Sequence, residues 1–149
     1  MSSKDGQITV RVAYCPLGCP TAWASQVAIC YPCGSSLGFL EIAGDEAGSR
    51  RTMPLPVHSV SHVSTYPSKN MVAFAEAAVD PKIFVYDYIS NRQLFVFEGA
   101  AELALADLAF SGCGTRLYVL SRARSHKLTI YSLITGNRLA HPDIEVGER

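Results

Sequence analysis

The feature of this chain that most constrains its fold is a stretch of sequence that occurs twice, at a shift of 45 residues. Residues 65–75 lie over residues 110–120, and residues 83–88 lie over residues 128–133, without a gap. Each copy alternates short runs rich in Val, Ile, Phe, Tyr and Leu with Pro, Gly or Asn turns, which is typical of strands joined by tight turns. One such unit cannot bury its apolar surface alone, so the repeat predicts units stacked on one another.

The period of the repeat predicts the class of fold. A unit of this length that holds four strands is typical of a β-propeller blade. A more diverged copy precedes the other two, with a shorter hairpin around Gly34. We therefore predict an all-β chain of about three blades, with approximate boundaries at 8–60, 61–105 and 106–149. Only residues 100–108, which are rich in Ala, have helical character.

The number of blades predicts an incomplete ring. A propeller needs about four blades to close, and a chain of 149 residues holds about three at this period. We expect unpaired backbone groups on the first and last strands, and a ring completed by further chain or by a partner.

Two segments resemble WD repeats, a family of propellers. Residues 108–114, Leu-Ala-Phe-Ser-Gly-Cys-Gly, resemble the strand and turn that open such a blade, and residues 83–87, Ile-Phe-Val-Tyr-Asp, resemble the strand that carries its Trp-Asp pair. Asp80 and Asp87 would then be structural turn residues, since an Asp carboxylate can accept hydrogen bonds from nearby backbone N–H groups. The third copy has Ser125 and Ser132 at these positions, and the family's Gly-His signature is absent.

The chain as a whole resembles the N-terminal part of WD-repeat cilia- and flagella-associated proteins. The distinctive stretches are Ile-Cys-Tyr-Pro-Cys-Gly at 29–34 and Phe-Leu-Glu-Ile at 39–42, followed in order by Val-Ala-Phe-Ala at 72–75. The resemblance implies a structural scaffold of the ciliary or flagellar axoneme, in the cytoplasm and cytoskeleton, that helps to tether or regulate inner-arm dynein. The partners that it implies are a sister WD-repeat tether subunit, inner-arm dynein and the tubulin doublet.

Charge and hydropathy argue against other classes of partner. Thirteen basic residues balance thirteen acidic ones, so the chain has no overall field that would attract nucleic acid or an anionic membrane. No apolar run approaches the ~18 residues that a membrane-spanning helix needs. Five cysteines, an odd number, fit a reducing compartment. A generic cytosolic WD-repeat adaptor outside cilia is therefore an alternative to the axonemal scaffold.

Four cysteines define the second alternative, a small β-protein that contains a zinc ribbon. Cys15 and Cys19 precede Cys30 and Cys33, and two thiolate pairs can supply four tetrahedral ligands. The competing interpretation places Cys30 in a strand and Cys33 in its turn. Apart from this possibility we expect no metal and no cofactor.

Other residues do not form a catalytic pattern, and we predict that the chain is not an enzyme. His58, His62, His126 and His141 fall in predicted loops or near turns, with no nucleophile in an elbow motif. The carboxylates Glu76, Asp80 and Asp87 could form an acid–base pair, but turn and strand-end roles explain the two aspartates. No phosphate-binding loop is present.

A basic loop is the candidate interaction site. Between residues 108 and 142 there are five basic residues and no acidic ones. Arg122, Arg124 and Lys127 crowd the predicted loop between the second and third strands of the last blade. They could contact an acidic surface such as tubulin, or simply keep a hairpin loop solvated.

Trp23, the only tryptophan, is predicted to pack in the core.

Overall fold

The computed structural model describes residues 21–25, 28–122 and 126–140. These residues form three four-stranded antiparallel sheets, each built from strands that are consecutive in the chain. The first sheet comprises β1 (Ala22–Trp23), β2 (Ala28–Cys33), β3 (Ser36–Glu41) and β4 (Arg50–Pro54). The second comprises β5 (Val60–Tyr66), β6 (Met71–Glu76), β7 (Ile83–Asp87) and β8 (Arg92–Phe97). The third comprises β9 (Leu105–Phe110), β10 (Arg116–Ser121), β11 (Leu128–Ser132) and β12 (Arg138–Ala140).

Strands of the second and third sheets recur at the shift seen in the sequence. The first strands begin at Val60 and Leu105, and the third strands at Ile83 and Leu128. The all-β prediction is confirmed for the described residues, whose only helix is a single 3₁₀ turn, Pro67–Lys69. None of the described helical structure is long and apolar enough to cross a membrane.

The helical character of residues 100–108 was misleading, because residues from Leu105 onward form β9. β9 pairs with β10, and it buries Leu105 and Leu108 against the second sheet. Alanine favours helices only weakly, and pairing and burial outweigh that preference here.

The sheets stack face to face in chain order, and each contact buries an apolar cluster. One cluster lies between the first and second sheets and includes Cys30, Phe39, Phe74 and Phe84. The other lies between the second and third sheets and includes Ile83, Val85, Leu105, Leu117, Val119 and Tyr131. The first strands of the sheets also contact one another, β1 with β5 and β5 with β9. This arrangement is compatible with consecutive blades of a propeller, and the described strands do not close a ring.

Successive residues of a strand point to opposite faces of its sheet, so each sheet has two distinct faces. We call the side toward the next sheet along the chain the forward face, and the opposite side the back face. In β6, Val72 and Phe74 lie on the back face in the first cluster, and Met71, Ala73 and Ala75 lie on the forward face in the second cluster. All five are buried, so the second sheet is covered on both sides.

Aromatic side chains fasten the sheets to one another. The Tyr66 ring lies over Gly114 of the third sheet, and its hydroxyl donates to the Gly112 carbonyl at 3.1 Å. Between the first two sheets, the Arg51 guanidinium lies 4.7 Å from the centre of the Phe39 ring and donates to the Tyr88 carbonyl. These polar and ring contacts add to the apolar clusters in joining each sheet to its neighbour.

The core position predicted for Trp23 is wrong. The side chain is 58% exposed, because it pairs with Ile29 on the back face of the first sheet, opposite to the face that meets the second sheet.

Candidate functional site

The basic loop predicted as an interaction site connects β10 to β11. Its base is closed by hydrogen bonds in which the Ser121 N–H donates to the Lys127 carbonyl at 3.0 Å and the Lys127 N–H donates to the Ser121 hydroxyl at 3.1 Å. Arg122 is exposed and Lys127 is half-buried. Arg124 lies outside the described residues, so the structure places only two of the three cations, at opposite ends of the loop.

Backbone hydrogen bonds join this loop to its neighbours in a single surface. The Arg122 N–H donates to the Ala104 carbonyl at 2.9 Å, and the Asp80 N–H donates to the Glu102 carbonyl at 3.1 Å. The β6–β7 loop, the β8–β9 connection and the β10–β11 loop therefore meet at one end of the sheets. We call this surface, residues 77–82, 98–104, 122 and 126–127, the loop face.

Two apolar residues that the sequence analysis did not single out stand exposed on the loop face. Val79 is 75% exposed and Leu103 is 61% exposed. Their loops are held together by the bond between Asp80 and Glu102. Single exposed apolar residues are common on protein surfaces, and both loops are rich in alanine, so nothing in the sequence distinguished these two residues.

The loop face carries charges of both signs. Asp80, Glu98 and Glu102 accompany Lys82 and the basic residues of the β10–β11 loop. Lys82 and Glu98 form an ion pair with 2.9 Å between Nζ and Oε1, and this hydrogen bond raises the pKa of Lys82. The pair is exposed, so salt screens it. The surface thus combines exposed apolar side chains with screened charges, a composition suited to contacts with protein.

The histidines are dispersed. His58 is exposed before β5, His126 is half-buried in the β10–β11 loop, and His141 lies outside the described residues. His62, predicted to lie in a loop or near a turn, is the third residue of β5, where β6 pairs with its backbone.

The Ser61 hydroxyl lies next to His62, but the pair is not arranged as a base and an activated nucleophile. Its Nδ1 is 3.2 Å from the Ser61 hydroxyl. That hydroxyl donates to the carbonyls of Ala75 and Glu76, at 3.3 Å each, so its proton is held by the backbone. Desolvation lowers the pKa of His62, opposed by a backbone hydrogen bond to Ala106.

The two aspartates predicted as turn residues lie at opposite ends of β7. The Asp87 Oδ1 accepts from the N–H groups of Ile89 and Ser90 at 2.9 and 3.1 Å, and these bonds contribute to the lowering of its pKa. Asp80 adopts a left-handed backbone with φ of 53°, and its carboxylate accepts no hydrogen bond from any described residue. Glu76 ends β6 beside the loop that holds Asp80 and not beside Asp87, so the structure does not bring the three carboxylates together.

The residue equivalent to Asp87 in the third sheet is Ser132, and it makes the same pair of bonds. Its hydroxyl accepts from the N–H groups of Ile134 and Thr135 at 3.2 and 3.1 Å. The replacement of Asp by Ser therefore preserves the turn between the third and fourth strands of the sheet.

The structure separates the cysteines considered as zinc ligands. Cys30 is fully buried between the first two sheets, and burial raises the pKa of its thiol to about 12. Cys33 is exposed at the end of β2 and, three residues along the strand, lies on the other face. Cys15 and Cys19 lie outside the described residues. Cys30 and Cys33 therefore cannot bind one metal ion in this arrangement.

Cys113, which the sequence analysis passed over, has the more reactive thiol. It is exposed in the β9–β10 turn, 3.4 Å from the Ser111 hydroxyl and 2.9 Å from the Thr115 hydroxyl. These hydrogen bonds lower its pKa to about 7, so a large fraction is thiolate at neutral pH.

Comparisons with protein-family models and with curated proteins found no match to this chain.

Proposed function

We propose that this chain forms consecutive blades of a WD-repeat β-propeller and acts as a structural scaffold of the ciliary or flagellar axoneme, where it helps to tether or regulate inner-arm dynein. The observation that carries the proposal is the stack of three four-stranded sheets in chain order, with equivalent strands 45 residues apart in the last two. The axonemal role rests on the resemblance of the sequence.

The details of the sheets support WD-type blades in particular. Asp87 and Ser132 occupy the position of the second letter of the Trp-Asp pair, and each accepts two backbone N–H groups of the following turn. The contact of β5 with β9 agrees with innermost strands that line a central axis.

A scaffold role agrees with how the loops are built. The loop face is held by backbone hydrogen bonds and presents Val79, Leu103 and Arg122 to solvent. Propeller blades commonly carry function on such loops, since a rigid sheet framework positions them. We assign to this surface the contact with axonemal partners: a sister WD-repeat subunit, inner-arm dynein or the tubulin doublet.

Co-sedimentation with isolated axonemes and doublet microtubules tests the proposal. The wild-type chain should sediment with them, and Arg122→Glu combined with Arg124→Glu and Lys127→Glu should weaken the association, more so at low salt. Arg50→Glu combined with Lys69→Glu and Arg92→Glu reverses three exposed cations away from the loop face instead and should leave sedimentation near the wild-type level. Two results contradict the proposal: no sedimentation of the wild-type chain, or sedimentation that neither set of substitutions weakens. The first of these results favours an adaptor outside cilia.

A further inference from the structure

The turns at the other ends of the strands, opposite the loop face, also form one surface. The Tyr88 N–H donates to the Asn70 carbonyl at 3.0 Å, which joins the β7–β8 turn to the β5–β6 turn. The Leu133 N–H donates to the Thr115 carbonyl at 2.8 Å, which joins the equivalent turns of the third sheet. The hydrogen bond from Tyr66 to the β9–β10 turn connects the two sheets. We call residues 67–70, 88–92, 112–116 and 133–137 the turn face.

The charged residues of the turn face are all basic. They are Lys69, Arg92 and Arg116, each of them exposed, and none forms an ion pair with a described residue. The acid next to the face in the sequence is Asp87, whose Oδ1 accepts two N–H groups of the turn that follows it. The loop face instead carries carboxylates and cations together. The two ends of the strands therefore differ in charge, although the chain as a whole is neutral.

Two isoleucines stand exposed on the turn face at equivalent positions of the repeat. Ile89 is 61% exposed and Ile134 is 75% exposed. The N–H group of each donates to the side chain two residues earlier, Asp87 or Ser132, so the same turn presents both. Single exposed apolar residues are common on protein surfaces, but these two recur at one place in two turns of fixed backbone. Covering them with a partner would remove apolar surface from water.

This combination fits an acidic protein segment better than nucleic acid or a membrane. Proteins that bind single strands stack bases on exposed aromatic rings, whereas the aromatic residue of the turn face, Tyr88, is buried. Anionic membranes are bound by clusters of about four to eight cations, and the turn face has three. A protein segment needs only carboxylates to meet the cations and apolar side chains to meet the isoleucines.

We propose that the turn face binds a protein segment in which acidic residues flank apolar ones. Its carboxylates meet Lys69, Arg92 and Arg116, and its apolar side chains meet Ile89 and Ile134. The segment belongs to a partner other than the one assigned to the loop face, because the two surfaces lie at opposite ends of the strands. A chain that is held by its loop face thus keeps its turn face free for a second protein.

Fluorescence anisotropy with a dye-labelled peptide, Glu-Glu-Leu repeated four times, tests the proposal. The wild-type chain should bind this peptide. Lys69→Glu combined with Arg92→Glu and Arg116→Glu should raise the Kd about tenfold, and so should Ile89→Ser combined with Ile134→Ser. No binding by the wild-type chain, or a wild-type Kd in either variant, overturns the proposal.

The matched control reverses the same number of cations at the other end of the strands. Arg122→Glu combined with Arg124→Glu and Lys127→Glu should leave the Kd for the peptide near the wild-type value. An equal loss in this variant would mean that net charge and not the turn face determines binding, and it would overturn the assignment. Circular dichroism identifies a variant that has not folded, and the corresponding glutamine substitutions then replace the reversed charges.

Cys113 shows whether the peptide occupies the turn face. Its thiol is exposed within the face, and its pKa of about 7 makes it reactive near neutral pH. A saturating concentration of the peptide should slow alkylation of Cys113 by iodoacetamide. Cys33, exposed in the first sheet, should react at an unchanged rate in the same sample. Alkylation of Cys113 that the peptide does not slow contradicts the location of the site.

Other ligands separate this partner from other classes of macromolecule. A DNA duplex, and vesicles of phosphatidylcholine and phosphatidylserine, should bind more weakly than the peptide, and tighter binding of either overturns the assignment. Sedimentation with doublets is a separate measurement, which the turn-face substitutions should leave unchanged. A chain that binds the peptide but not doublets keeps this inference and rejects the axonemal role, and a chain that sediments with doublets but binds no peptide does the reverse.

Discussion

Gly114 lies beneath the ring of Tyr66, where a Cβ would come within 2.2 Å of the ring, and its φ is +66°. Both features exclude a side chain, so Gly114→Ala should lower the free energy of unfolding by about 2–3 kcal/mol. Gly112, two residues earlier, has nothing within 4 Å of a Cβ. Gly112→Ala is therefore the matched control and should cost less than about 1 kcal/mol. Urea denaturation of both variants checks the difference, and equal losses would contradict the role assigned to the Tyr66 contact.

His62 should make stability depend on pH. Burial holds its pKa in the folded protein below the ordinary value of 6.5, with Asp107 opposing and Arg122 reinforcing the shift. As the pH falls through about 6.5, the unfolded chain takes up the proton first, so stability is complete above that pH and declines below it.

The His62→Gln variant removes this proton uptake. Between about pH 7.5 and 5.5, its free energy of unfolding should fall less steeply than that of the wild type. Parallel curves for the wild type and His62→Gln, measured by denaturant titration at each pH, would show that His62 does not titrate differently on folding.

At the scale of elements, the turns that end β7 and β11 have a common design. Asp87 and Ser132 each accept two N–H groups, and a left-handed residue follows in both turns, Asn91 and Gly136. Asp87→Ala and Ser132→Ala should each cost about 1 kcal/mol, because two exposed backbone donors lose their acceptor.

Asp87→Asn retains a side-chain oxygen and should recover most of that loss. Ser132→Asp should be tolerated, because the residue at the equivalent turn is an aspartate. Thermal denaturation of the four variants measures this. A loss for Asp87→Asn as large as that for Asp87→Ala would mean that the charge, and not the geometry of the acceptor, stabilises the turn.

The elements differ in how far the sequence predicted them. β6 and β7 were predicted because most of their residues are buried whichever face they occupy, and the strands so form continuous apolar runs. The outer strand β4 was not, because it is at an edge and four of its five residues are exposed. A strand whose stability comes from pairing alone leaves little pattern in its own residues.

The candidate sites were predicted less well, for a related reason. The sequence indicated Arg122 and Lys127 by charge, but the loop face depends on backbone bonds between segments distant in sequence, such as Asp80 with Glu102. Trp23 was assigned to the core because Tyr31 and Phe39 are near it in the sequence, whereas its exposure follows from which face of β1 it occupies. Which sheet face a residue occupies, and which loops lie beside it, are set by the packing of the sheets. The identity of a single residue does not show either.

At the scale of the molecule, the three sheets are not equivalent. The second is covered on both faces, whereas the first and third each have one face with exposed or half-buried apolar residues. Stability should therefore be greatest at the centre of the stack and lower toward both ends, as in other repeat arrays where each unit is stabilised by its neighbours. Native-state hydrogen exchange should accordingly be slowest at β6 and β7.

Ile83 and Leu128 are equivalent residues of the second and third sheets. Substituting each of them compares the stability at the centre of the stack with the stability at its end. Ile83 is fully buried and Leu128 is half-buried. Ile83→Ala should cost about 2–5 kcal/mol by leaving a cavity between two sheets, whereas Leu128→Ala in dilute solution should cost about 1 kcal/mol. The smaller cost follows because truncating a side chain that already meets water leaves no enclosed cavity. Urea denaturation of both variants checks this: equal costs would show that the face around Leu128 is as well covered as the face around Ile83.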